Sequence, residues 1–252
     1  MQELLEQLQA AANPDNARVL ARYFQVKPGG YGEGDVFLGI KLGELREIAR
    51  PYCRREFVAG EWLEMLRSPI HEHRLICLVV MSERAARAVG AQRSGSGAGA
   101  ELGHIYRTYL ANTRCINNWD LVDVSGGPVV GGYLLGRDRS PLYRLARSPV
   151  VWERRIAMVS TQRFIREGQT RDVYQLAQLL LSDPHDLMHK AVGWMLREAG
   201  KRVDAAELRR FLSEHATRMP RTMLRYAVEH FEPAERQSYL AMRKADELRG
   251  RR

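Results

Sequence analysis

The feature that most constrains the fold is a proline-marked helix start that recurs along the chain. Ser68-Pro69, Ser148-Pro149 and Asp183-Pro184 each precede a basic residue and an apolar run: Arg74 with LICLVVM, Arg155 with IAMV, and Lys190 with AVGWML. The spacing from Ser148 to Arg155 equals that from Asp183 to Lys190, and these two units lie 35 residues apart. A helical repeat of roughly 35 to 45 residues is the signature of stacked helix pairs, because one such pair cannot bury its apolar face alone. The predicted fold is therefore all-α: an α-solenoid of helix-pair repeats of the HEAT-like or TPR kind with a concave basic face, running as a single domain over residues 1–252.

The rest of the chain agrees. Helical periodicity dominates and strand alternation is nearly absent. Asn13-Pro14 breaks one helix and starts a second that runs to about Phe24, since proline is well tolerated at a first helical position. PGGYGEGD (28–35) reads as a glycine-rich loop, with a helix following from about Gly43. Further helices are expected near 56–66, 70–88, 101–111, 128–136, 150–166, 171–181, 186–199, 205–215, 220–230 and 233–247. The small polar stretch AQRSGSGAGAE (91–101) reads as a flexible surface loop, and 244–252 as a basic tail.

No run of 18 apolar residues is present, and MQELLEQLQA is amphipathic and acidic rather than a signal core, so no membrane span is expected and the cytoplasm is the default location. Cys53, Cys77 and Cys115 form no CxxC pair and read as small buried hydrophobes. GGPVVGG (126–132) lacks the Lys-Ser/Thr of a phosphate loop, and His185 and His189 lack the glutamate of HExxH, so neither a nucleotide nor a metal is expected.

Net charge is +9, and the excess is clustered. Between Arg137 and Arg166 eight arginines face only Asp138 and Glu153, a net of +6 in that window. Such clustering is the usual footprint of a polyanionic partner, although a solvated face would look similar.

Placing the helices at 100° per residue puts Arg155, Gln162 and Arg166 on one cationic face suited to phosphates. Trp194 falls at the edge of an apolar stripe beside Lys190 and Arg197, either sealing a helix seam or half-exposed for a ligand. In NNWDLVDVSGG (117–127), Asn117 or Asn118 can cap a helix and Asp120 complements its N-terminal dipole. Gly126-Gly127-Pro128 is expected to end that helix and start the next. Trp119 and Asp123 share a surface at i and i+4. At the far end of the helix the dipole disfavours an anion, and repeat alignment sets Asp123 where Arg155 and Lys190 stand. An acid in a basic row marks a candidate catalyst.

With these residues in view, the chain resembles the AlkD-type DNA glycosylases, the HEAT-like-repeat DNA alkylation repair family. The resemblance is carried by NPDNARVLARYF (13–24), GEGDVFLGIKLGELREIAR (32–50), NNWDLVD (117–123), SPVVWERRIAMV (148–159) and HKAVGWMLREAGK (189–201). It implies hydrolysis of the N-glycosidic bond of N3- and N7-alkylated purines in duplex DNA, with Asp123 catalytic, Trp119, Trp194 and Tyr23 at the lesion, and Arg155 on the DNA backbone. Lys190, Arg197 and Arg166 join Arg155 as expected backbone contacts. It further implies a lesion left in the duplex without full base flipping. No cofactor or metal is required, and a monomer that associates with the nucleoid when bound to DNA is expected. The chemistry suits these residue types. A cationic alkylpurine leaves as a neutral base, so no general acid is needed, and a carboxylate stabilises the oxocarbenium-like sugar or positions water. Tryptophan faces attract the cationic base by roughly 0.5–2 kcal/mol each. The alternative is a non-catalytic HEAT-like module that binds damaged or branched DNA.

Overall fold

A computed structural model describes residues 1–55, 58–93 and 99–242. The all-α expectation holds: among the described residues there is no strand, only one isolated bridge between Val36 and Ile70. Packing groups the chain into two compact units, Met1–Tyr133 and Leu134–Arg252.

The first unit contains α1 (Gln2–Ala10), α2 (Pro14–Tyr23), α3 (Leu42–Ala49), α4 (Ala59–Leu66), α5 (His71–Arg93), α6 (Gly99–Ala111) and α7 (Trp119–Ser125). Asn13 caps α2 by accepting from the Asn16 amide at 3.0 Å, with Pro14 in the first turn, as its sequence predicts. α5 is the central helix, packed by α3, α4, α6 and α7. It is surrounded on all sides over LICLVVM, where every residue is buried. Full burial of each such side chain is worth about 1.5–3 kcal/mol, so this run anchors the unit. α5 extends to Arg93 and α6 begins at Gly99, so the expected 91–100 loop is helical at both ends. Its centre, residues 94–98, lies outside the described residues, as does the expected basic tail at 244–252.

Residues 36–40 stitch the start of α2 to the start of α5. Val36 donates to Pro69 O at 3.1 Å and accepts from His71 N at 2.8 Å, while Asn13 N donates to Leu38 O at 2.8 Å. The buried carboxylate of Glu72 collects three backbone donors here, Leu38 N at 2.9 Å, Gly39 N at 2.8 Å and Ile40 N at 3.2 Å. Gly39 has φ +87°, and a Cβ there would lie 2.1 Å from Asn13 O, so only glycine fits.

Past α7, the chain does not stop at Gly126-Gly127-Pro128. It continues as a π-helical turn over Gly126–Gly131 and a short α8 (Gly132–Leu134). Proline has no N–H for the carbonyl four residues back, Val124 O, and locally this should break the helix. That carbonyl lies instead 3.1 Å from the Ser82 hydroxyl of α5, which shares its proton with Leu78 O. A tertiary partner thus overrides the local stop signal.

The second unit contains α9 (Ser140–Leu145), α10 (Val151–Ile165), α11 (Arg171–Leu179), α12 (Asp186–Arg202), α13 (Ala205–His215), α14 (Arg221–Ala227) and α15 (Pro233–Ala241). α12 packs against α10, α11, α13 and α14. Gly193 lets α14 come close, because a Cβ there would lie 2.4 Å from Met223 O.

The proline-marked starts are a structural repeat. Arg74 donates to Ser68 O at 2.9 Å, Arg154 to Ser148 O at 3.0 Å, and His189 Nε2 to Asp183 O at 2.5 Å. In each case the fourth helical residue ties back to the carbonyl that precedes the proline. The sequence pairing of Arg74 with Arg155 and Lys190 is therefore off by one: Arg74 corresponds to Arg154 and His189. Asp123, Arg155 and Lys190 do share a register, each being the fifth residue of its helix.

Candidate active site

α7 begins at Asn118, whose fully buried side chain accepts from Trp119 N at 2.8 Å. Of the two asparagines considered for the cap, Asn118 fills the role. Asp120 sits in the first turn, where a carboxylate suits the helix dipole. It also does something the sequence did not reveal. Asp120 Oδ2 lies 2.7 Å from His71 Nε2, and His71 Nδ1 lies 3.0 Å from Asp35 Oδ2. Arg74 closes the row with an ion pair to Asp35 Oδ1 at 2.6 Å.

Burial pushes the His71 imidazole toward neutrality, but the hydrogen bonds to Asp120 and Asp35 outweigh it and raise its pKa to about 9. At neutral pH it is therefore an imidazolium that donates to both carboxylates. Burial likewise opposes ionisation of Asp35, yet His71 and Arg74 hold its carboxyl below the usual range. No spacing rule could have found this set, because Asp35 and Asp120 lie 36 and 49 residues from His71. The nearest signal was a histidine immediately inside a proline-marked helix start.

An aromatic cluster covers the same region. Trp119 stacks on Phe24 with centroids 5.2 Å apart, and Tyr23 meets Trp119 edge-on at 6.1 Å. Phe37 stacks on both Phe24 and His71. The structure thus brings together two of the predicted lesion residues, Tyr23 and Trp119. Tyr23 is 62% exposed, and the Tyr31 hydroxyl fixes its backbone by donating to Tyr23 O at 3.1 Å. Beneath the cluster lies a cavity of about 360 Å³ walled by Leu20, Phe24, Phe37, Ile40 and Trp119, with Asp120 also at its surface.

Asp123 lies one turn beyond Trp119 and is half-buried. It is close enough to Tyr109 to help burial raise that phenol's pKa. The Ser125 hydroxyl donates to Leu121 O at 2.5 Å, so in the 2.9 Å contact between Tyr109 and Ser125 the phenol must be the donor. The phenol's only proton is therefore spent on Ser125, and Tyr109 meets Asp123 as a neutral neighbour.

The cationic residues of the second unit are more committed than their sequence suggests. Arg155 is 4% exposed and donates to Leu187 O at 2.5 Å, so Arg155, Gln162 and Arg166 do not form one exposed face. The guanidinium is turned inward onto the first turn of α12, where it adds a second donor to Leu187 O, and only Arg166 of the three is exposed. Lys190 is ion-paired with Asp186 at 2.8 Å, and Arg197 with both Glu198 and Glu229. Of the eight clustered arginines, Arg139, Arg154 and Arg163 also meet carboxylates, those of Asp172, Asp183 and Glu167. Arg137, Arg144, Arg147 and Arg166 are exposed. The electrostatic footprint that remains is about half of what the sequence window suggests. Trp62 and Trp152 are buried, whereas Trp119 and Trp194 are half-buried, the pair that sequence singled out.

Among the described residues no helix is long and apolar enough to cross a membrane. The three cysteines are free, with Cys53 and Cys77 buried and Cys115 half-buried.

Comparison with known proteins follows the same lines. No curated protein matches the chain. Among solved structures, one described as a predicted DNA alkylation repair enzyme from Enterococcus faecalis superposes with a TM-score of 0.62 at 14% identity, covering 88% of this chain and 97% of the other. At that identity the likeness establishes the fold. The family model described as DNA alkylation repair enzyme matches residues 4–231. The chain belongs to the DNA alkylation repair enzyme family.

Proposed function

We propose that this protein is a DNA glycosylase that hydrolyses the N-glycosidic bond of cationic N3- and N7-alkylated purines in duplex DNA. The observation that supports this most is the pairing on α7 of an aromatic and an acid, Trp119 and Asp123, at i and i+4 with the exposed Tyr23 ring against Trp119. Asp123 is half-buried in the last turn of α7, on a helical path that continues through Gly126–Gly131. A carboxylate kept in that position is suited to a developing positive charge. As the glycosidic bond breaks, the neutral base departs and the sugar becomes oxocarbenium-like; Asp123 stabilises that cation and orients the incoming water. Trp119 attracts the alkylated base through its charge, which unmodified adenine and guanine lack.

Of the proposed backbone contacts, Arg166 is exposed, while Lys190 and Arg197 would have to exchange carboxylates for phosphates. Arg155 is buried and serves better as a brace for the start of α12 than as a phosphate ligand. The test is release of base from duplex DNA carrying N7-methylguanine, with Asp123→Asn expected to lose about a hundredfold or more in rate. Equal rates would remove Asp123 from the mechanism, and no release by the wild type would favour the binding-module alternative.

A further inference from the structure

The cavity beneath the aromatic cluster is formed from side chains of the first unit, and its chemistry specifies a ligand. We infer that it is a binding site for a free planar purine base that presents N–H donors to Asp120. Its volume, about 360 Å³, is at the lower end of the roughly 300–1,000 Å³ of small-molecule pockets, which suits one bicyclic ring rather than a nucleotide. The lining is largely aromatic and apolar: Trp119, Phe24 and Phe37 form one continuous ring stack along it, with centroids 5.2 and 5.1 Å apart.

The polar groups narrow the class further. His71 uses both ring nitrogens on Asp35 and Asp120. Glu72 accepts from three backbone amides and is 1% exposed, so it presents no accessible oxygen, and Asn16 directs its amide nitrogen to Gly39 O at 2.7 Å. Lys41 is exposed. Asp120 retains capacity, because each oxygen has one partner, Leu121 N or His71 Nε2, and a carboxylate oxygen accepts two. The Asp120 side chain keeps 18% of its surface accessible. The site therefore offers an acceptor inside an apolar slot, which favours an aromatic ring bearing amino or ring N–H groups and disfavours anions. The base released by the proposed glycosylase reaction is one such ring, and to that extent the inference rests on that reading.

Adenine and caffeine separate the possibilities, because caffeine keeps the bicyclic purine skeleton but carries no N–H, with methylated ring nitrogens and a carbonyl where adenine has its amino group. Titration of the full chain, followed by calorimetry and tryptophan fluorescence, should show saturable adenine binding and caffeine binding at least about tenfold weaker. Asp120→Asn should weaken adenine about tenfold while leaving caffeine unchanged. Leu42→Trp, at a cavity-lining position that is 40% exposed, should abolish both. If Asp120→Asn does not fold, the wild-type ratio of adenine to caffeine affinity and the Leu42→Trp result decide. Absence of saturable adenine binding, equal affinity for the two ligands, or binding unchanged by Leu42→Trp would overturn the proposal. Running the titration on Asp123→Asn keeps the two readings apart. Adenine binding by a chain whose base release does not depend on Asp123 would sink the glycosylase mechanism alone, and Asp123-dependent release without adenine binding would sink the cavity site alone.

Discussion

In the second unit the long helices α10 and α12 begin with Ser-Pro or Asp-Pro, tie their fourth residue back to a carbonyl, and carry a cation at the fifth position. In the first unit α7 has no such proline, is started by a buried asparagine, and carries an acid at the fifth position, Asp123. The cations of the second unit are held: Arg155 by Leu187 O, Lys190 by Asp186, and the neighbouring Arg154 by Asp183. At the start of α7 Asp120 meets His71, and one turn on Asp123 lies beside Tyr109. The difference teaches that one scaffold serves two purposes. In the second unit Arg154 and Arg155 hold helix starts together, while in the first unit the same register carries an acid, the residue we propose for the chemistry.

This contrast can be broken or sharpened by substitution. The largest loss of stability is expected from Arg154→Met, which strands the Asp183 carboxylate, 2% exposed, without its bidentate partner at 2.6 and 3.2 Å. Breaking one side of a buried pair costs about 3–5 kcal/mol, read as a shift in the urea midpoint at unchanged slope. A loss under about 1 kcal/mol would show that this helix start is not held by its arginine.

The matching device in the first unit should respond to pH. His71 titrates near 9 when folded against 6.5 unfolded, so its contribution is complete below pH 6.5 and is lost as the pH rises through 9. The contribution is on the order of 3 kcal/mol. Wild-type stability should fall across that window, and His71→Gln should be less stable at pH 6 with that fall removed. Asp35 works in the opposite sense: its depressed pKa gives stability above the unfolded value of 3.8 that is lost as the pH falls below it. A wild-type curve flat from pH 6.5 to 9 would contradict the relay.

The smallest effect is expected from Arg166→Met. This exposed residue should change stability by no more than about 0.5 kcal/mol, yet lower the salt slope of DNA affinity by about one. An unchanged slope would take Arg166 off the DNA interface.

How much of this was legible in the sequence follows from where each contact reaches. The helices and the Asn13-Pro14 start depend on neighbours within one or two turns, and periodicity exposed them; the half-buried Trp194 settles an alternative that the pattern left open. The continuation through Gly126-Gly127-Pro128 depends on Ser82, 42 residues from the carbonyl it satisfies, so the local rule failed. Arg155 was misplaced because charge pattern cannot say whether an arginine faces solvent or a carbonyl 32 residues away. Asp120 was assigned correctly to the helix start, but its larger partner, His71, came from a different helix. Long-range polar satisfaction is the part of this fold that spacing does not encode.

The central claim is that the two aspartates of α7 have separate duties, Asp120 in the buried network and Asp123 in the chemistry. The most direct measurement compares Asp123→Asn and Asp120→Asn for both thermal stability and release of N7-methylguanine from duplex DNA. The account predicts that Asp123→Asn keeps its melting temperature within a few degrees while release falls about a hundredfold, whereas Asp120→Asn melts lower because His71 loses an anionic partner. Release by Asp123→Asn at the wild-type rate, or a loss of release in it that merely tracks unfolding, would contradict it.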